Sequence, residues 1–446
     1  RTALQDVKFD IIGMIFQRLI PEDERRVLGQ YFTSPDIVDL ILKFCLRSPD
    51  DKVLDPSCGS GTFLVRAYHH KKQMEPSLKH NDILTTLWGV DIAKFPAHLA
   101  TINLAIGDLR VRENHPQILA NDFFNLRLSG SKHDTVTLSD KATKIPFPRD
   151  LDCIVGNPPY TRQEQIEELV GDSGGYKNKI TSAATEGFSR LKIPGQASIY
   201  FHFFVHGTKF LKEGGRFGYI VSESWLDTRY GAALQEFFLR HYKIVAIISS
   251  KIERWFSDAD INTCIVILEK CTPQGERDKN LVRFVQFYKP LRYFIPPTTD
   301  MWNQQADRLL RIDQFVQQIL SHRALYISDD LRVFAKKQSD LWDEGFDENK
   351  KKYLGSKWGK YLRAPEIYFA ILKKAGQNSR ILADLAQVRR GFTTGANEFF
   401  YLTEEQLKRH KIEREFWTHR GKGGNLIPNF VIISPKDISS VVLNPD

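Results

Sequence analysis

Four short stretches place an acid or an amide where a run of apolar residues stops. They are VLDPSCGSG around Asp55, GVDI around Asp91, NDFF around Asp122 and DCIVGNPPYT around Asn157. In an open α/β sheet, ligands bind beyond the carboxyl ends of the strands. Four polar residues at four such ends can therefore share one crevice. Asp91, an acid at the end of the strand after a glycine turn on the first, is placed to hold ribose hydroxyls. The fourth stretch carries different chemistry. Pro158 and Pro159 have no N–H and a fixed φ, so they cannot extend a ladder. The Asn157 amide that leads them and the Tyr160 ring that follows are not explained by a turn. Each of the first three stretches also has a plain reading: an ordinary strand–helix turn at Gly59 and Gly61, an N-cap at Asp91, and a loop anchored by aromatics at Asp122.

The elements that must position these residues alternate along the chain. Strand candidates cover 52–56, 87–92, 151–158, 216–223, 243–250 and 263–270, with helical patterns around 61–71, 95–106, 197–213 and 229–242. Near-continuous apolar strands alternating with helices predict a doubly wound α/β sheet. Upstream, residues 7–28 read as an amphipathic helix or helix pair, and Ser34 and Pro35 form an N-cap and N1 pair for DIVDLILKFCL. The pattern fades after about residue 290, where aromatics, Lys and Arg interleave without a clear period. FIPPTTDMW, with two prolines, marks the expected start of a second domain.

Composition narrows the classes. The 446 residues are 42% hydrophobic and 26% charged, and no run approaches the ~20 apolar residues of a membrane span. Five scattered Cys, never spaced as CxxC, suit a reducing compartment and argue against a disulfide framework or zinc site. Twelve His show no metal-binding pair, so no metal is expected. The net charge of +9 favours a polyanionic partner without requiring one. The glycine turn lacks the Lys of a P-loop and does not match GxGxxG. The first residue is Arg1, and the chain is expected to be a fragment.

GQYFTSP, DPSCGSG, GVDI, NDFF and GNPPY, in this order, resemble the conserved blocks of S-adenosylmethionine-dependent DNA amino-methyltransferases. With the GQYFTSP block first, the order is similar to the gamma arrangement of adenine-N6 enzymes of restriction–modification and related phage-defence systems. The resemblance covers roughly residues 10–270. It implies a Rossmann-like methyltransferase sheet of about seven strands, with an N-terminal helical segment and a C-terminal α+β target-recognition domain. The corresponding ranges are 1–28, 29–290 for the catalytic domain, and 291–446 for target recognition.

The resemblance also implies roles. Tyr31, Thr33 and Pro35 would contact the methionine end of S-adenosyl-L-methionine. Asp55 would accept from its α-amino group, with Gly59 and Gly61 leaving room for its body. Asp91 would hold the ribose hydroxyls, Ile92 would pack on its adenine, and Asp122 and Phe123 would take the adenine amine and ring. Asn157 and Pro158 would offer acceptors to the target amine, and Pro159 would stiffen the turn. A target adenine cannot be reached inside a duplex, so it must flip out. Tyr160 would stack on it, with Phe256 of ERWFSDADINTCIVILEK, similar to a later block, as the second aromatic. Arg389 and Arg390 lie in LADLAQVRRGFTTGANEFFYL, which resembles a recurring target-recognition segment. With Lys360 and Arg363 they are candidates for DNA contacts. Double-stranded DNA is the implied partner in a bacterial or archaeal cytoplasm. A nuclease or specificity module could lie in the same polypeptide or in a separate subunit. Rival readings are methylation of cytosine N4, RNA or protein, and a catalytically weak DNA-binding subunit of a defence complex.

Overall fold

The computed structural model describes residues 33–376 apart from 109–110, 112–113, 129–131, 138–143, 161–174, 257–260 and 298–304, and then 385–386, 401–402, 404–411, 417–418 and 441–443. Tyr31, Arg389, Arg390 and the helical segment expected over 1–28 lie outside the described residues.

β1 (Val53–Asp55), β2 (Leu87–Asp91) and β3 (Gln117–Ala120) run parallel in sequential order. After a separate hairpin of β4 (Lys132–Asp134) and β5 (Lys144–Pro146), the chain returns to lay β6 (Leu151–Gly156) on the other side of β1. β7 (Leu211–Ser222) is parallel to β6. β9 (Thr263–Lys270) then runs antiparallel between β7 and β8 (Tyr242–Ser250). The order β3-β2-β1-β6-β7-β9-β8 continues through β10 (Leu281–Phe287) to β12 (Leu331–Lys337) and β11 (Tyr326–Ile327), making ten strands. The observed sheet thus contains the expected doubly wound core and three strands more. β1, β2 and β6 are buried at every position, which is why they read as near-continuous apolar runs.

Helices follow the strands as α1 (Pro35–Cys45), α2 (Thr62–Met74), α3 (Lys94–Ala105), α4 (Gly175–Thr185), α5 (Ile199–Thr208), α6 (Gly231–His241) and α7 (Gln305–Ser321). α1 starts as its sequence dictates: the Ser34 hydroxyl accepts from the Asp36 amide at 3.4 Å and Pro35 opens the first turn. α5 is buried all round, so IYFHFFVHGT carries no polar face. Its two histidines are pushed down by burial, His202 to about 4 and His206 to about 3; the His206 ring nitrogens lie 3.2 Å from the Ala183 and Leu126 carbonyls, and the neutral ring donates to one of them.

A buried charge cluster fastens α1. Asp39, fully buried, meets both Arg66 of α2 (Nε at 2.7 Å) and His70 (Nε2 at 2.8 Å), and it pairs with the buried Arg308 of α7. Burial alone would raise the Asp39 carboxyl, but the charges of Arg66, His70 and Arg308 outweigh it and hold it well below the usual range. Arg308 also pairs with Asp36.

That cluster reaches far along the chain. Helix α7 lies beyond residue 290, yet it packs against α1 and inserts Arg308 beneath it. β10 and β12 pair across seven residues, from Leu281↔Lys337 to Phe287↔Leu331. The first compact unit therefore runs through Ala364, and the second begins at Pro365.

Removing one member of a buried ion cluster strands the others. Asp39→Ala should cost about 3–5 kcal/mol in urea denaturation at neutral pH. A loss of about 1 kcal/mol or less, typical of a surface pair, would contradict this role.

Candidate active site

The carboxyl ends of β1 and β2 are tied together through the glycine turn. Asp55 lies beside Gly89 and Asp91 beside Ala120 in parallel register. One Asp91 oxygen accepts from the Gly59 amide and the other from the Ala93 amide, both at 2.9 Å. Asp55 accepts from the Ser57 amide at 3.0 Å. Gly61, at φ 90°, caps α2 in the left-handed region, and a Cβ there would meet Ala100 at 3.1 Å. Asn103 of α3 steadies the turn by donating to the Ser60 carbonyl at 2.9 Å.

β6 completes the crevice from the other side. A Cβ on Gly156 would come within 2.7 Å of an Asp55 oxygen, so the carboxylate lies against bare backbone one residue before Asn157. Asn157 Nδ2 donates to Thr33 Oγ1 at 3.2 Å, joining the β6 turn to the residues that enter α1. Pro158 is buried and Pro159 half-buried. The Tyr160 hydroxyl donates to the Ile220 carbonyl at 3.3 Å. Its ring meets Phe256 edge-on, with centroids 6.0 Å apart and planes at 70°. The structure thus brings together the two aromatics expected from sequence, in direct contact with each other.

At the end of β3, Asp122 caps the single turn Phe123–Asn125 by accepting from the Phe124 amide at 2.9 Å. Its second oxygen faces Lys179 Nζ of α4 at 3.1 Å. Phe123 keeps only 3% of its surface exposed, packed against Phe203, His206 and Phe210. Ile92, 65% exposed, has apolar surface to offer at the same rim.

Burial dominates the electrostatics of the Asp55 and Asp91 carboxyls. Burial pushes the Asp55 carboxyl up to about 8; the Ser57 amide opposes this and the charge of Asp91 adds to it. Asp91 is likewise raised by burial, against the amides of Ala93 and Gly59. A positively charged ligand would relieve both.

Two of the candidate DNA contacts are already engaged with carboxylates of the first unit. Lys360 pairs with Glu344 at 2.7 Å, and Arg363 pairs with Glu223 at 3.1 Å and also with Asp227. Sequence reasoning missed Lys179 and Tyr176 of α4. No motif marks them; the available signal was their place in the first described helix after the β6 turn. It also missed Gly156, although a glycine between an apolar strand and a functional amide is a cue to close backbone approach.

Residues 7–353 match the family profile described as N-6 DNA Methylase. The Type II methyltransferase M.BstVI of Geobacillus stearothermophilus is 29% identical over 246 residues, covering 52% of this chain and 40% of that protein. M.XhoI of Xanthomonas vasicola, another Type II methyltransferase, is 24% identical over 274 residues, covering 57% of this chain and 44% of its own. The chain thus spans less than half the length of either relative. Among solved structures, the type IIG restriction endonuclease BpuSI shares the fold, with a TM-score of 0.53, 15% identity, and coverage of 92% of this chain and 42% of that one.

The raised Asp55 carboxyl has a consequence for stability. Its unfolded value is about 3.9. Its contribution is therefore fully favourable below that value and is lost as pH rises through about 8. Ligand-free wild type should lose stability relative to Asp55→Asn between about pH 5 and 8, by at most about 1.4 kcal/mol per pH unit. Thermal melts of the two proteins across that range check this. A difference that does not change with pH contradicts it.

Proposed function

The chain belongs to the N-6 DNA methylase family, and on that premise we propose that it methylates adenine N6 in double-stranded DNA, using S-adenosyl-L-methionine, within a restriction–modification or related defence system. The observation that carries this reading is the convergence at the sheet's carboxyl edge. Asp55 and Asp91 end adjacent strands, and Asn157 follows the strand on the far side of β1. That junction, where strand order reverses, is where open α/β sheets bind ligands.

The residues fit the cofactor. Asp55 accepts from the α-ammonium, Asp91 from the ribose hydroxyls and Asp122 from the adenine amine, while exposed Ile92 packs on the adenine ring. Thr33 and Pro35 stand at the methionine end, where Thr33 also orients Asn157. The bound cofactor supplies an electrophilic methyl group on a sulfonium centre.

The exocyclic amine of adenine is a weak nucleophile because its lone pair is delocalised into the ring. The Asn157 side-chain oxygen and the Pro158 carbonyl accept its two N–H groups and draw the nitrogen toward sp³. Pro159 keeps the turn stiff. Tyr160, anchored on the Ile220 carbonyl, stacks on the flipped base, and such contacts are worth about 1–3 kcal/mol. Phe256 covers the second face once the two rings part. Positioning and electrostatics supply most of the rate, and no general base is required before attack.

Target recognition is assigned to the second unit and to the Arg389–Arg390 segment. A nuclease or specificity module in the same polypeptide or a separate subunit is the expected companion.

Purified protein should transfer labelled methyl from S-adenosylmethionine to adenine N6 in DNA that contains its site. Asn157→Ala should abolish transfer while cofactor binding persists, as read by calorimetry. Label appearing on cytosine, RNA or protein would overturn the assignment.

A further inference from the structure

Lys179 makes a contact that the proposed chemistry does not use. It projects from α4, the first described helix after the β6 turn, and its ammonium lies 3.1 Å from Asp122 Oδ2. α4 is fixed from behind. Ile180, Ala183 and Ala184 are buried, and Thr181 Oγ1 and His202 Nε2 of α5 lie 3.2 Å apart. Lys179 therefore reaches the pocket from a fixed base, with its ammonium over the Tyr176 ring at 5.6 Å from the centroid. Tyr176 also touches Asp122: burial first, then the carboxylate beside it, push its phenol above its ordinary range.

The exposures of the two partners differ. The Asp122 side chain is 10% exposed, whereas that of Lys179 is 47% exposed. A carboxylate so enclosed is costly to leave bare. A pair whose cation is half in water is weak, worth about 0–1 kcal/mol. An amine arriving at Asp122 would compete with the ammonium for a carboxylate that already accepts from the Phe124 amide.

We propose that Lys179 is a placeholder for the cofactor's adenine amine: it satisfies Asp122 while the pocket is empty and is displaced when the adenine arrives. This rests on the placement of that adenine at Asp122. Lys179 is a positioning residue, not a catalytic one. Its release couples cofactor occupancy to α4, the first described helix after that turn.

The test measures binding of S-adenosylhomocysteine to the full chain by calorimetry. Lys179→Met should bind about two- to five-fold tighter than wild type at about 0.05 M salt, and the gap should close toward about 0.5 M salt, because salt weakens the competing pair. Lys179→Arg should bind as wild type does. The analogue with inosine in place of adenosine lacks the amine, so Lys179→Met should give it no gain. Equal or weaker binding of S-adenosylhomocysteine by Lys179→Met, or an equal gain with the inosine analogue, overturns the placeholder. The placement beneath it fails separately: if Asp122→Ala binds S-adenosylhomocysteine as well as wild type does, the adenine is not at Asp122.

Discussion

The acidic crevice depends on how closely the Asp55 carboxylate lies against the backbone of Gly156. No side chain fits between them, since a Cβ would stand 2.7 Å from the nearer oxygen. β1 and β6 must therefore be adjacent, parallel and in this register, with Val53 beside Cys153 and Leu54 beside Ile154. A shift of one residue would carry Asn157 away from Asp55 and leave the carboxylate buried beside a different backbone. The reversal of strand order at β1 is thus a positional requirement of the site as well as a feature of topology. Gly89 imposes a second one, because a Cβ there would meet Ile118, Leu64 and Cys58 at 2.6 to 3.0 Å. Only glycine lets α2 settle on β2 with the Cys58 turn above it.

A second layer of constraint holds the wall opposite the strands. Thr33, which receives the Asn157 amide, stands two residues before α1. α1 is held by Asp39 through Arg66 of α2 and Arg308 of α7. Residues about 270 positions apart thereby converge on the helix beside Asn157. Burying that many charges is unfavourable unless all are paired, so the cluster selects one arrangement of the three helices more than it adds net stability. It gives α7 a reason to belong to the first unit, and with it the sheet extension of β10, β12 and β11.

Much of this was legible in the residues because the strands around the site are buried on both faces. β2, β6, β8 and β9 are mostly apolar, and Asp91 at the end of β2 and Asn157 after β6 mark carboxyl ends. The cap of α1 was equally plain, since Ser and Pro have specific tasks there. β3 was legible only as the apolar run before Asp122, without bounds, because it is four residues long with only Ile118 and Leu119 buried. β10 and β12 escaped notice because Arg and Gln interrupt them. Arg283 spends its donors on the Leu281, Leu320 and His322 carbonyls, and Arg332 is buried. The basic stretch over 350–363 read as a face for polyanions, yet Lys350, Lys351, Lys360 and Arg363 all find carboxylates nearby. Lys350 and Lys351 pair with carboxylates three residues back, whereas Lys360 and Arg363 pair with Glu344 and Glu223 far along the chain, which leaves no trace in local pattern. Phe123 teaches the same lesson, since an aromatic in a motif and an aromatic in a core look alike until its neighbours are known.

The central claim is that the amide at the end of β6 directs methylation to adenine N6. It is tested most directly by single-molecule sequencing of modified bases in DNA from cells expressing the full-length gene, in a host without other adenine methylation. The account predicts N6-methyladenine confined to one recurring sequence, absent when Asn157 is replaced by Ala. N4-methylcytosine in its place, or adenine methylation that survives that replacement, would contradict it.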